Sequence, residues 1–281
     1  MYIKSPAKIN LSLKITGTRE DGYHLLEMVN LPIDLHDVIE IEELPHGGDT
    51  YVTCDEFHLA GLHSNLCQKA VIAMRERFGF KQNYRIHIHK EIPFAAGLGG
   101  GSSNAASVML ALNKLLRLNA PMDVLKEIAL SLGSDVPFFL NPKPSLVTGI
   151  GETIRPIAVK KDYHVLVVKP PKGLSTKEVY AVCDASKREE IDTAKVVDAL
   201  RLGDDDGILN GRGNDLYPAA CELYPEVRLF VEDLKKIFPL AAMSGSGSSV
   251  FALTSDGKAA KDAYHKMDKA GYNVFLCKVI K

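Results

Sequence analysis

"PFAAGLGGGSSNAA", residues 93–106, sets four glycines and then three hydroxyl or amide side chains between an extended stretch and an apolar helical one. Before it, "YRIHIHK" from Tyr84 alternates polar and apolar positions as a strand does, and after it Val108, Leu112, Leu115 and Leu116 share one side of a helix. The order is therefore strand, glycines, hydroxyls, helix. Glycine lets amide N–H groups approach an anion without a Cβ in the way, and a helix opening directly from such a loop adds its unpaired first-turn N–H groups and its dipole. The stretch reads as a phosphate cradle, with a ligand-free strand-to-helix turn as the alternative. No lysine follows the glycines as a Walker loop requires, and Ser102 stands where the last glycine of G-x-G-x-x-G would be. "SGSGSS" at 244–249 is not a nucleophile elbow, because Ser249 occupies its final glycine position.

The chain around this loop is 281 residues long, more than one average core supports, so two lobes are expected. It is 46% hydrophobic and 25% charged, the composition of an ordinary soluble protein. With 34 basic and 35 acidic side chains there is no global field to attract nucleic acid or an anionic membrane, so an anionic ligand must be held locally. Five scattered cysteines without a C-x-x-C pair fit buried thiols in a reducing compartment. No apolar run approaches a membrane span and the first residues lack a signal-peptide pattern, so a cytoplasmic location is expected.

Periodicity divides the chain further. Ile9, Leu11, Leu13 and Ile15 alternate with polar residues as in a half-buried strand, and "VIEIEEL" from Val38 reads the same way. Ser64 can cap a helix carrying Leu66, Ala70, Ala73, Met74 and Phe78, and another helix starts at Asp123. A turn-rich zone, 141–156, closes this half. Beyond it come a strand at Val165–Val168, a helix opened by Ser175 or Thr176, helices through Ala194–Leu200 and Val227–Phe238, and a final strand, glycine loop, strand, helix, strand. The expectation is an α+β protein with lobes at 1–155 and 156–281.

"PAKINLSLKI" near the start and "MSGSGSSVFA" near the end flank the glycine loop in an order that resembles the three motifs of the GHMP kinases, a superfamily of small-molecule kinases. The resemblance covers essentially the whole chain. With "DGYHLLEMV", "GSDVPFF" and "GIGE", the motif set is most similar to members whose substrate is a cytidine diphosphate-linked methylerythritol. The resemblance implies an N-terminal lobe like domain 2 of ribosomal protein S5 and a C-terminal ferredoxin-like lobe. It implies ATP-dependent phosphorylation of the 2-hydroxyl of that substrate, in the non-mevalonate route to isoprenoid precursors, by a monomer or weak homodimer. A kinase for another small alcohol and a GHMP-like protein without turnover are the alternatives.

By the same resemblance ATP lies on Pro93, Ala95, Ala96, Gly97, Leu98, Gly99, Gly100, Gly101, Ser102 and Ser103, with Gly245 and Gly247 closing the far side and Asn65 and Lys90 near the adenosine. Lys8 and Asp135 match the catalytic positions: Asp135 orients the hydroxyl and accepts its proton, and Lys8 bonds Asp135 and the γ-phosphate. A weak base suffices when the phosphoryl transition state is loose. Tyr23 stacks on the cytosine, His24 reads its polar edge, Asn10 holds the methylerythritol hydroxyls, and Thr176 and Tyr180 form a second wall. ATP brings Mg²⁺, for which Ser103 is a candidate ligand through its hydroxyl or a water. Read alone, Lys8 on the polar phase of its strand is a solvated charge, and Asp135 before Pro137 is a turn or cap residue.

Four features stand apart from the motifs. Ala95 and Ala96 are tolerable in the loop if they keep φ below zero. His87 and His89, two apart on one strand face, have the spacing of metal ligands, but the sequence shows no third, so a solvated face is expected. "GDDDG" at 203–207 reads as a solvated loop, and "GRGNDL" at 211–216 as a turn before a helix capped by Asn214 or Asp215.

Overall fold

A computed structural model describes residues 1–45, 48–55, 65–183 and 190–281. They fall into two compact units that interleave along the chain. The first holds Met1–Ala7, His36–Ile92 and Gly99–Pro142, and the second Lys8–Leu35, Pro93–Leu98 and Lys143–Lys281. Strands β1 (Tyr2–Thr18) and β2 (His24–Glu43) contribute to both. Both are longer than alternation suggests, because Pro32 sits inside β2 without ending it and its carbonyl accepts the Ile280 N–H at 2.9 Å.

In the first unit, β4 (Tyr84–His89) pairs antiparallel with Val38–Glu43 of β2 and parallel with β3 (Tyr51–Cys54), a short strand without a clear sequence signal. Helices α1 (Leu66–Phe78), α2 (Gly100–Leu115), α3 (Met122–Leu132) and α4 (Val136–Phe139) pack on one another. Asn65, rather than a residue before it, caps α1 by accepting the Cys67 N–H at 2.9 Å, while Ser64 lies outside the described residues. Helix α3 starts one residue before Asp123, at Met122. Helix α2 is buried on several sides from Ser103 to Leu112, which its alanines permit by giving neighbours close access.

In the second unit, the zone 141–156 is not only turns. It carries a hairpin of β5 (Ser145–Gly149) and β6 (Thr153–Pro156), with β5 also pairing antiparallel with Leu26–Asn30 of β2. The Ile150 N–H donates to the Glu152 carboxylate at 2.6 Å and fixes the turn. A second sheet has the order β10 (Val274–Lys278), β7 (His164–Val168), β9 (Val250–Thr254), β8 (Ala241–Met243), all antiparallel. Fourth, first, third, second in chain order is the ferredoxin-like arrangement. Its central strand β7 buries Val165 to Val168 on both faces, as a continuous apolar run predicts. Helices α5 (Thr176–Cys183), α6 (Thr193–Leu202), α7 (Asp205–Gly211), α8 (Tyr217–Leu223), α9 (Glu226–Lys235) and α10 (Gly257–Lys269) complete it.

Two local expectations are corrected here. Residues 203–207 are not a solvated loop: Asp204 caps α7, and Asp205 binds Lys161 Nζ at 2.6 Å and the Tyr163 hydroxyl at 2.7 Å. Asp215 is no helix cap, since it accepts the Ile15 N–H of β1 at 2.7 Å. Asn214 does accept the Leu216 N–H at 2.9 Å, but its amide also donates to the Gly245 carbonyl at 2.8 Å. Among the described residues no helix is long and apolar enough to cross a membrane.

Candidate active site

The glycine loop divides between the units after Leu98. Its first part packs backbone to backbone against the 244–249 loop. Gly97 has φ +71°, and a Cβ there would lie 2.1 Å from the Ser244 carbonyl oxygen, so neither the conformation nor the space admits a side chain. The Ser244 hydroxyl donates to the Gly97 carbonyl at 2.9 Å, and the Ser249 N–H to the Ala96 carbonyl at 3.2 Å. Ala95 is corrected from the expectation of a negative φ: it has φ +50°, with its carbonyl taken by the Leu174 N–H at 3.3 Å. A left-handed alanine costs about 1–2 kcal/mol, which these crossing hydrogen bonds offset.

Lys8 reaches the same cluster. Its N–H donates to the Leu98 carbonyl at 3.0 Å, and its Nζ donates to Asn10 Oδ1 at 2.6 Å. It is 3% exposed, so the solvated reading of this strand phase is wrong: from Ala7 to Leu13 β1 is buried on both faces. A buried ammonium requires partners. Asn10 supplies one and is itself held, donating to Asn30 Oδ1 at 2.7 Å while its backbone N–H donates to the Ser244 hydroxyl at 3.3 Å. Asn10 thus steadies Lys8 with both ends of its carboxamide engaged.

The other half of the loop lies in the first unit. Gly99 (φ +74°) precedes α2, and no side chain among the described residues caps that helix, so its first-turn N–H groups keep their capacity for an anion. The loop's entry is anchored from below: fully buried Asp37 accepts the Ile92 and Glu91 N–H groups at 2.8 and 2.9 Å and the Lys90 ammonium at 2.6 Å. Ser103 is fully buried, with its hydroxyl 2.9 Å from that of Ser5, which also donates to Asn104 Oδ1 at 2.8 Å. That hydrogen bond ties the start of α2 to β1. Asp135 lies in a turn at the N-cap position of α4, and its side chain makes no capping hydrogen bond to that helix.

In the second unit the rings of His24 and Tyr180 stack at 4.9 Å and 15°. Thr176 Oγ1 lies 2.9 Å from Ser246 Oγ, which joins this wall to the second glycine loop. Tyr23 is 58% exposed on the turn between β1 and β2.

Two family models match the chain, the GHMP kinases N terminal domain over residues 65–142 and the GHMP kinases C terminal over 196–273. The protein named 4-diphosphocytidyl-2-C-methyl-D-erythritol kinase of Clostridium beijerinckii is 38% identical over 284 residues, covering 100% of both chains. That of Clostridium perfringens strain 13 is 38% identical over 94% of this chain and 92% of its own. The chain belongs to the GHMP kinase family. A crystal structure titled 4-(cytidine 5'-diphospho)-2C-methyl-D-erythritol kinase matches with a TM-score of 0.82, 29% identity and full coverage of both chains. As a GHMP kinase the protein is a small-molecule kinase, and ATP is its substrate.

Within this GHMP kinase, sequence reading missed Ser244, Asn30 and Asn214. Ser244 bridges Asn10 and Gly97, and Asn214 holds Gly245. Asn30 is fully buried, with Oδ1 on Asn10 and an Nδ2 that has no hydrogen-bond partner among the described residues. A polar residue inside "MVNLPI" is the signal that was available, because an asparagine between apolar strand positions is seldom buried without a task.

Proposed function

We infer that the chain transfers the γ-phosphoryl group of ATP to the 2-hydroxyl of 4-diphosphocytidyl-2-C-methyl-D-erythritol, a step in the non-mevalonate supply of isoprenoid precursors. The observation that carries this reading is the buried Lys8 ammonium, held by Asn10 beside the backbone contact of Gly97 and Ser244. Phosphoryl transfer asks for positioning and charge neutralisation more than covalent chemistry, and a buried, steadied cation provides the second. The names of the full-length relatives support the choice of acceptor.

In this reading residues 1–155 form the ATP-binding lobe and 156–281 contribute substrate walls. The phosphates rest on residues 93–103, with Gly245 and Gly247 beside them and Asn65 and Lys90 toward the adenosine. Because Asn65 Oδ1 is spent on the α1 cap and Lys90 on Asp37, Asn65 acts on the nucleotide through its amide N–H and Lys90 mainly by placing the loop. Asp135 orients the hydroxyl and takes its proton late, as the bond to the phosphoryl group forms. Tyr23 stacks on cytosine and His24 reads its edge, with Tyr180 backing His24. Asn10 meets the methylerythritol hydroxyls only by sharing its bond to Lys8. Mg²⁺ would come with the ATP phosphates, with Ser103 as a candidate ligand through its hydroxyl or a water, and would supply further charge neutralisation.

A coupled assay of purified protein with Mg-ATP and the cytidine substrate, beside a panel of other small alcohols and Asp135→Asn, tests this. Turnover confined to the cytidine substrate and lost in Asp135→Asn is expected. Turnover only on another alcohol would replace the acceptor and keep the kinase.

A further inference from the structure

We propose that Asp55, His87 and His89 form a binding site for a divalent first-row transition metal, separate from the nucleotide-binding loop. His87 and His89 project from the same face of β4, with ring centroids 4.5 Å apart. The third ligand missing from the sequence pattern is brought by pairing: β3 runs parallel to β4 with Cys54 beside Ile88, which delivers Asp55, the next residue, to the two imidazoles. Its Oδ1 lies 2.9 Å from His87 Nε2 and its Oδ2 3.6 Å from His89 Nδ1, and one ligand atom from each residue falls within 4.8 Å of the others. Ligands of a tetrahedral ion at about 2.0–2.1 Å stand about 3.3 Å apart, so modest side-chain rotation closes the set.

The surroundings suit a metal as well. Thr53 Oγ1 lies 2.8 Å from His87 Nδ1 and 3.4 Å from the Ile86 carbonyl. With Nδ1–H donating to Thr53 and the Thr53 hydroxyl donating to Ile86, displacing the Nε2 proton of His87 would leave that nitrogen's lone pair aimed toward Asp55, the second-shell pattern typical of a metal-binding histidine. The Lys90 N–H donates to Asp55 Oδ2 at 3.2 Å and fixes the carboxylate. Glu40 Oε2, 3.8 Å from His89 Nε2, adds negative charge, while its Oε1 is paired with Arg85 at 3.1 Å. The imidazole and carboxylate side chains are 23%, 45% and 49% exposed, which leaves room for ion entry and for water to complete the coordination. Two imidazoles and one carboxylate select Zn²⁺, Co²⁺ or Ni²⁺ over Mg²⁺ and Ca²⁺. The metal takes the place of the proton between His87 Nε2 and Asp55 and ties the end of β3 to β4.

Calorimetric titration of the chelator-treated full chain with Zn²⁺, Ni²⁺ and Mg²⁺ tests the site. One Zn²⁺ or Ni²⁺ per chain, no Mg²⁺ at this site, and affinity about tenfold or more weaker in His87→Ala/His89→Ala with kinase turnover retained are expected. Unchanged affinity and stoichiometry in that variant would place the metal elsewhere and overturn the proposal, as would no Zn²⁺ binding by the wild type. Should the variant fold poorly, imidazole ¹⁵N spectra of the wild type decide: Zn²⁺ shifts the resonances of His87 and His89 among the nine histidines, or the proposal fails.

Discussion

Strands β1 and β4 carry the same alternation in sequence and opposite chemistry in the structure. In β4, "YRIHIH" buries Tyr84, Ile86 and Ile88 and turns Arg85, His87 and His89 outward, as a half-buried strand should. In β1, "AKINLSL" buries its polar phase as well, so Lys8, Asn10 and Ser12 are enclosed with Ile9, Leu11 and Leu13. Alternation reports that a strand forms and not whether its second face is covered. Where that face is covered, each polar residue has been taken out of water at a cost and is retained by partners or by function.

The largest effect expected from this contrast is on chemistry. Lys8→Met keeps an unbranched side chain one atom shorter and removes its charge, and kcat should fall about 10²–10³-fold or more while far-UV circular dichroism is unchanged. A loss below tenfold would mean that the buried ammonium serves packing. Next comes the support beneath it. Asn10→Ala leaves the Lys8 ammonium without the acceptor at 2.6 Å and should lower unfolding free energy by about 1–3 kcal/mol in urea, together with a drop in kcat larger than any rise in KM. A pure KM effect would instead make Asn10 a substrate ligand and leave Lys8 steadied from elsewhere.

The glycines divide the same way. At Gly97 a Cβ would strike the Ser244 carbonyl at 2.1 Å in a left-handed backbone, whereas at Gly101 it would meet only Leu66 Cδ1 at 3.9 Å. Gly97→Ala should therefore cost about 1–3 kcal/mol and weaken ATP binding, and Gly101→Ala should stay within about 0.5 kcal/mol. Equal losses, measured by urea unfolding and by nucleotide titration, would break the assignment of Gly97 to the contact with Ser244.

These residues also show how much was readable in advance. The loop stood out because local composition announces it, with glycines set before a helix; Lys8 and Asp135 stood out only by the resemblance to the family's motifs, since read alone they are a solvated charge and a turn or cap residue. The alternating elements of the second half announced a two-layer α+β lobe, and the resemblance implied its ferredoxin-like form, while the strand order itself is seen only in the structure. What stayed hidden depends on who pairs with whom. Asn30, Ser244 and Asn214 are ordinary polar residues until β2, the 244–249 loop and residue 214 are brought to β1, and Asp55 is an ordinary acid until β3 pairs with β4. Ala95 escaped for a related reason, since its left-handed φ is imposed by the hydrogen bond from Leu174, far along the chain. Long-range pairing of this kind has no period for a sequence to display.

The smallest effect belongs to the open face of β4. Burial raises the Asp55 carboxyl, but hydrogen bonds from His87 and the Lys90 N–H, with the charges of His87 and His89, outweigh it and hold the group below its ordinary value. A carboxyl depressed in the folded state contributes stability that is present above its unfolded pKa and lost as pH falls through the folded one. Without metal, His87→Ala should thus change stability by no more than about 0.5 kcal/mol at neutral pH, and the difference from wild type should vanish in acid below the carboxylate range. The measurement is urea unfolding of both proteins across that range with chelator present. A difference that persists at the acid end would show that His87 is held by packing, as the buried residues of β1 are, and the contrast between the two strands would narrow to their charged atoms alone.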